Sequence, residues 1–111
     1  MTHPFEGLTP DCVVDCVEAI GLRSDLRLLA LNSYENRVYQ VGLEEADPVI
    51  VKFYRPGRWT REQILEEHTF AQELVDNGLS VVAPMEINGA TLQEAQGFLI
   101  AAFPRRGGHA P

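Results

Sequence analysis

The chain has 111 residues, 45% of them hydrophobic, enough for one compact domain with its own core and not for two. Sixteen acidic residues against nine basic ones give a formal net charge of −7, which argues against nucleic acid or an anionic membrane surface as a partner, because both require a basic face. No apolar run nears the roughly 20 residues of a membrane span, and Met1 to Gly7 has neither a basic nor an apolar signal region, so a cytoplasmic location is expected.

Leu8-Thr9-Pro10-Asp11 opens a helix, with Thr9 as cap, Pro10 in the first turn and Leu8 and Val13 at the staple positions. Val13, Cys16, Val17 and Ile20 form its apolar stripe and Gly21 ends it. Cys12 and Cys16 are the only cysteines. No second pair completes a metal site, so a buried or half-buried thiol pair is expected.

Residues 26–31 read as a strand, 32–36 as a polar break and 37–43 as a second strand. After an acidic turn at 44–48, Val49-Ile50-Val51-Lys52-Phe53-Tyr54 is a third strand, rich in β-branched and aromatic residues. Arg55-Pro56-Gly57 breaks it. A helix then starts on a capping box of Thr60 and Gln63, with Trp59 and Ile64 as its staple, and runs to about Asn77 before Gly78 stops it. Residues 81–87 read as a fourth strand, irregular or at an edge because of Pro84. Asn88-Gly89 signals a hairpin turn, and 97–103 is a final apolar strand. The fold class is α+β: a five-stranded, mostly antiparallel sheet with a packed helix and an extra N-terminal helix.

Lys52 is the most informative residue. Strand alternation puts Ile50, Lys52 and Tyr54 on one face and Val49, Val51 and Phe53 on the other. An ammonium on a half-buried sheet wants an anion, the plain alternative being an edge lysine that blocks aggregation. On the next helix Ile64, Glu67, Ala71 and Leu74 form a core-facing stripe that contains one carboxylate, which can meet Lys52. A lysine held by a helix glutamate is how protein kinases position the α- and β-phosphates of ATP. A peripheral carboxylate with its stem along the core is the alternative for Glu67.

The loop between the first two strands lies where kinases place a phosphate-covering loop. It has no glycine, and Asn32, Ser33 and Asn36 offer polar donors instead, so an ordinary hairpin loop fits as well. Arg55, Arg58 and Arg61 cluster at the helix start as a solvated basic face or a phosphate contact. His3, His68 and His109 are scattered, and no nucleophilic triad is visible.

The run from Leu31 to Gln40 resembles the nucleotide loop of the bacterial stress response kinase A family. So do Val51-Lys52-Phe53-Tyr54-Arg55-Pro56, Arg58-Trp59-Thr60 and Gln63-Ile64-Leu65-Glu66-Glu67-His68. The similarity continues through Ala83-Pro84 and Gly97-Phe98 to Phe103-Pro104. That family resembles the aminoglycoside-phosphotransferase and choline-kinase branch of the kinase fold. The resemblance implies the ATP-binding lobe of a cytoplasmic, Mg-ATP-dependent serine/threonine protein kinase of the stress response. It implies that Lys52 contacts ATP phosphates and Glu67 is its partner. Ser33, Tyr34, Glu35 and Asn36 would form the phosphate loop, Val38 and Ile50 would roof the adenine, and Phe103 with Pro104 would form the hinge.

On this reading 1–24 is an N-terminal helical extension, 25–103 the nucleotide-binding sheet and helix, and 104–111 the hinge and a truncated tail. The family's helical lobe, with its H-G-D-x-H-x-x-N loop and metal-binding Asp, has no counterpart after Phe103, since the last Asp is Asp76. The catalytic residues and Mg²⁺ ligands are therefore expected in a C-terminal lobe that acts as a partner, together with a protein substrate, and the 111 residues alone are expected to be inactive. A small-molecule phosphotransferase lobe and a non-enzymatic binding module are the alternatives; the sequence downstream would separate them.

Overall fold

Thr9 is extended and its Oγ1 accepts a 3.2 Å hydrogen bond from the Cys12 N–H, so the helix that follows starts with a satisfied donor. This helix, α1 (Pro10–Ala19), is one of two in the computed structural model, which describes residues 7–31 and 36–105. The second, α2 (Arg61–Asp76), starts on the expected capping box: the Gln63 N–H donates to Thr60 Oγ1 at 3.1 Å and the Thr60 N–H donates to Gln63 Oε1 at 2.9 Å. Both helices end alike. Gly21 and Gly78 adopt φ of 107° and 83°, and the following N–H groups, of Leu22 and Leu79, reach back to the carbonyls of Val17 and Leu74. That double closure needs a left-handed residue, which glycine supplies without steric cost.

Among the described residues five strands form one antiparallel sheet: β1 (Ser24–Leu31), β2 (Arg37–Leu43), β3 (Ala46–Phe53), β4 (Gln93–Ala95) and β5 (Phe98–Pro104). Their spatial order is β1-β2-β3-β5-β4, so β3 and β5 are central neighbours and the intervening chain carries α2 across one face. On the opposite face Val41, Val49, Val51, Phe53 and Ile100 pack against Val13, Cys16 and Val17 of α1. Phe53 meets both Tyr39 and Phe98 edge-on at 5.9 Å. A smaller cluster lies under α2: Tyr54, Ile64, Leu92 and Ala101, with Trp59, Leu99 and Phe103 at its rim.

The fold class and the order of the elements are as expected, with three local corrections. Residues 81–87 are not a strand. Pro84 brings no donor, and the segment is tied to the sheet by one backbone bond, from the Met85 N–H to the Ala102 carbonyl at 2.7 Å, and by the Gln93 Nε2 of β4, which donates to the Ile87 carbonyl at 3.0 Å. The fourth strand is instead β4, entered after the Asn88-Gly89 turn, across which Ile87 and Ala90 exchange both backbone bonds. Gln96-Gly97, with φ of 51° and 84°, makes a second turn of the same kind between β4 and β5. Finally, the acidic turn shrinks to Glu44-Glu45 and β3 begins at Ala46. Pro48 is accommodated because the β2–β3 register shifts between Val41 and Leu43, and because pairing with β5 starts only at Val49.

Thr60→Ala removes one half of the capping box and is expected to lower stability by about 1 kcal/mol. Thr60→Ser should recover most of that loss. Equilibrium denaturation of the two variants checks both outcomes.

Candidate functional site

The register of the central strands decides which side chains share a face. Val38 stands opposite Lys52, Ile50 opposite Phe103, and Lys52 opposite Ala101. Directly paired residues project to the same side. Val38, Ile50, Lys52 and Phe103 therefore share the face away from α1, which gathers the residues expected to hold a nucleotide, apart from those of the loop and Glu67 on α2. α2 crosses the end of this face at Tyr54 and Ala101, through Ile64.

Lys52 Nζ lies 4.0 Å from Glu67 Oε1. Its ammonium also stands 5.0 Å from the centre of the Tyr54 ring and 5.7 Å from that of Phe103, both within cation–π range. Glu67 does not belong to the buried stripe of α2. Its side chain is 59% exposed, on the shoulder of the helix, and the buried positions are Ile64 and His68. An ion pair of this exposure contributes about 0–1 kcal/mol, too little to fasten a helix. Its consequence is local: it limits where the lysine ammonium can go.

Asn36 ties the end of the first hairpin to the exit of β3, its Oδ1 accepting the Arg55 N–H at 3.0 Å. Ser33, Tyr34 and Glu35, the rest of the expected phosphate loop, lie outside the described residues. The arginines near α2 do not converge on one point. Arg61 pairs with Glu94 on β4, while the Arg58 guanidinium stacks over Trp59 at 4.4 Å. Among the described residues no three His, Cys, Asp or Glu side chains form a metal-binding group, and no helix is long and apolar enough to cross a membrane. Cys12 and Cys16 are free, buried thiols with sulfurs 3.9 Å apart. Burial, helped by the neighbouring Cys12, pushes Cys16 up to about 12, so it stays a thiol at neutral pH.

A family model for phosphotransferase enzymes matches residues 27–111, which include Lys52, Glu67 and the other residues expected to hold a nucleotide. The chain belongs to the phosphotransferase enzyme family. Similar proteins include stress response kinase A of Shigella flexneri, 53% identical, and of Escherichia coli K12, 52% identical. Another is the serine/threonine protein kinase RdoA of Salmonella typhimurium LT2, 48% identical. Each match takes in 94% of this chain and 32% of the relative, so the chain spans about a third of the length of the curated relatives it matches.

This phosphotransferase-family chain holds one residue that the sequence reading set aside. His68 is 5% exposed. Its Nε2 lies 3.1 Å from the Tyr54 hydroxyl and its Nδ1 2.8 Å from Thr91 Oγ1. A signal was available in the pattern, since Ile64 and His68 also stand one helical turn apart, but the carboxylate at 67 drew the stripe to itself. Burial lowers the His68 pKa from its usual 6.5, Glu67 opposes that shift and Lys52 reinforces it. The ring is therefore neutral in the folded protein at pH 7.

A histidine whose folded pKa is depressed takes up its proton first in the unfolded chain. Its contribution is constant well above pH 6.5, and it falls as the pH drops through 6.5 toward the lower folded value. Denaturation curves collected from pH 8 down to pH 5 should show this loss in the wild-type chain. His68→Gln should remove that part of the slope, and an unchanged slope would show that another group carries it.

Proposed function

We propose that this chain is the nucleotide-binding lobe of a Mg-ATP-dependent serine/threonine protein kinase. The observation that carries the reading is the placement of Lys52. Its ammonium stands on the open face of a central strand, 4.0 Å from a helix carboxylate and beside the apolar side chains of Ile50, Val38 and Phe103. A cation next to an apolar shelf matches the chemistry of a nucleotide, whose polyphosphate needs positive charge and whose base needs a dry surface.

In this reading Lys52 holds the α- and β-phosphates and Glu67 limits the travel of its ammonium. Val38 and Ile50 cover the adenine, and the backbone near Phe103 and Pro104 receives its edge. Asn36, fixed to the Arg55 N–H, anchors one end of a phosphate-covering loop formed with Ser33, Tyr34 and Glu35. Magnesium, when bound with ATP, neutralises charge on the phosphates. Its ligands, the catalytic base and the protein-substrate site belong in this proposal to the remainder of a longer polypeptide, of the length seen in the relatives. The serine/threonine assignment follows the name of the Salmonella relative, and a role in the stress response follows the names of the others. A cytoplasmic location accompanies the reading, because the reaction consumes ATP and both cysteines are thiols.

Lys52→Ala in the full-length protein is expected to lower kcat/KM for ATP by at least about a hundredfold, the scale of losing one preorganised charge at a transferring group. Lys52→Arg should not restore it, since a planar fork does not replace a compact ammonium. Labelled-phosphate transfer to protein and small-molecule acceptors, measured side by side, tests both the role and the acceptor class. Near-normal transfer by Lys52→Ala would overturn the assignment.

A further inference from the structure

The open question at this site is what sets the rotation of α2. Its buried positions are Ile64 and His68. Ile64 supplies apolar contact, which is non-directional and tolerates rotation of the helix about its axis. His68 supplies direction. Its two ring nitrogens face two hydroxyls on different segments, Tyr54 just past the end of β3 and Thr91 in the stretch before β4. A neutral imidazole has one donor and one acceptor, and a hydroxyl can serve either, so the ring satisfies both partners in only one orientation for a given helix position.

One chain neighbour and one contact connect this bridge to the ion pair. Glu67 precedes His68 on the helix, so a rotation about the axis that breaks the bridge also moves the carboxylate, and one that turns His68 outward along the exposed side carries it away from Lys52. Tyr54, which holds the His68 Nε2, is also the ring under the Lys52 ammonium. The pair itself, at 4.0 Å and with Glu67 largely exposed, is too weak to hold the helix in place.

We propose that His68 is a positioning residue, whose bridge between Tyr54 and Thr91 fixes α2 so that Glu67 meets Lys52. The bridge acts through Glu67 and does not touch the nucleotide. The consequence for phosphoryl transfer rests on the function proposed above; the consequence for the Lys52–Glu67 separation does not. The charged groups around the ring are Lys52 from β3 and Glu67 from its own helix, while Glu73, Asp76 and Glu86 line the groove beside it.

The test uses the full-length protein with His68→Leu. Tyr54→Phe and Thr91→Val, which remove only the hydroxyls, serve if the leucine variant does not fold. In crystal structures of these variants the Lys52 Nζ to Glu67 Oε1 distance is expected to open beyond about 6 Å, outside the range of direct pairing. A distance that stays near 4.0 Å in the variants that fold overturns the proposal. Kinetics add a readout that loss of stability would not reproduce. His68→Leu, or the hydroxyl variants in its place, should lower kcat/KM for ATP about tenfold in the native background, and less than about twofold when Glu67→Gln is already present. Where Glu67→Gln itself lowers transfer, equal losses in both backgrounds also overturn it. If Lys52→Ala and Glu67→Gln leave transfer untouched while the distance still opens, the function proposed above fails and the positioning role stands.

Discussion

Val51 and Phe53 are fully buried between the sheet and α1, and their alternation with Ile50 and Lys52 is what sends the lysine to the other face. Strand β3 is hydrogen-bonded on both sides, to β2 and to β5, so its register is fixed twice. A slip of one residue would put Lys52 into the apolar layer under α1 and bring Val51 and Phe53 out. Burying an unpaired ammonium costs far more than any gain on the front face returns, so the back of the sheet determines the geometry of the front.

The two faces differ in what holds them. On the α1 side the contacts are apolar and dry, each large side chain contributing about 1.5–3 kcal/mol by its removal from water. On the α2 side the cluster is smaller, and its polar members are Lys52, Glu67, Tyr54, His68 and Thr91. An exposed ion pair adds little to stability, so the fold gains little from having a lysine and a glutamate at positions 52 and 67. That separation is the strongest physical argument for a functional site here: the candidate pair, Lys52 and Glu67, is not what keeps the chain folded.

Much of this was legible in the sequence, for identifiable reasons. The capping box at Thr60 and the glycines at 21 and 78 are local signals whose partners lie within a few residues, and they hold. The alternation around Lys52 is equally local. The stretch before β5 was harder. Residues 81–87 contain β-forming side chains, yet Pro84 and the lack of a paired neighbour leave them outside the ladder, while the three polar-to-small residues Gln93–Ala95 become the edge strand because Gln96-Gly97 turns the chain back on itself. For α2 the pattern supports two stripes, one through Glu67 and one through His68, because both are polar residues one turn beyond Ile64. The choice is made by Tyr54 and Thr91, 14 and 23 positions away in the chain, and no local pattern encodes contacts at that range.

The position of α1 bears on where the folding unit begins. The family match starts at residue 27, beyond the end of this helix. The relatives, however, align over 104 of the 111 residues, too many to leave Pro10–Ala19 out. The packing of α1 favours the longer span. Val13, Cys16 and Val17 are fully buried against Val41, Val51 and Phe53, and a sheet with an apolar face needs a second layer to cover it. Without α1 that face would meet water, and the register that aims Lys52 would lose the burial that enforces it. The helical segment before β1 therefore shares one core with the sheet that carries Lys52, and a chain begun at residue 27 would keep the candidate site residues while losing the layer that orients them.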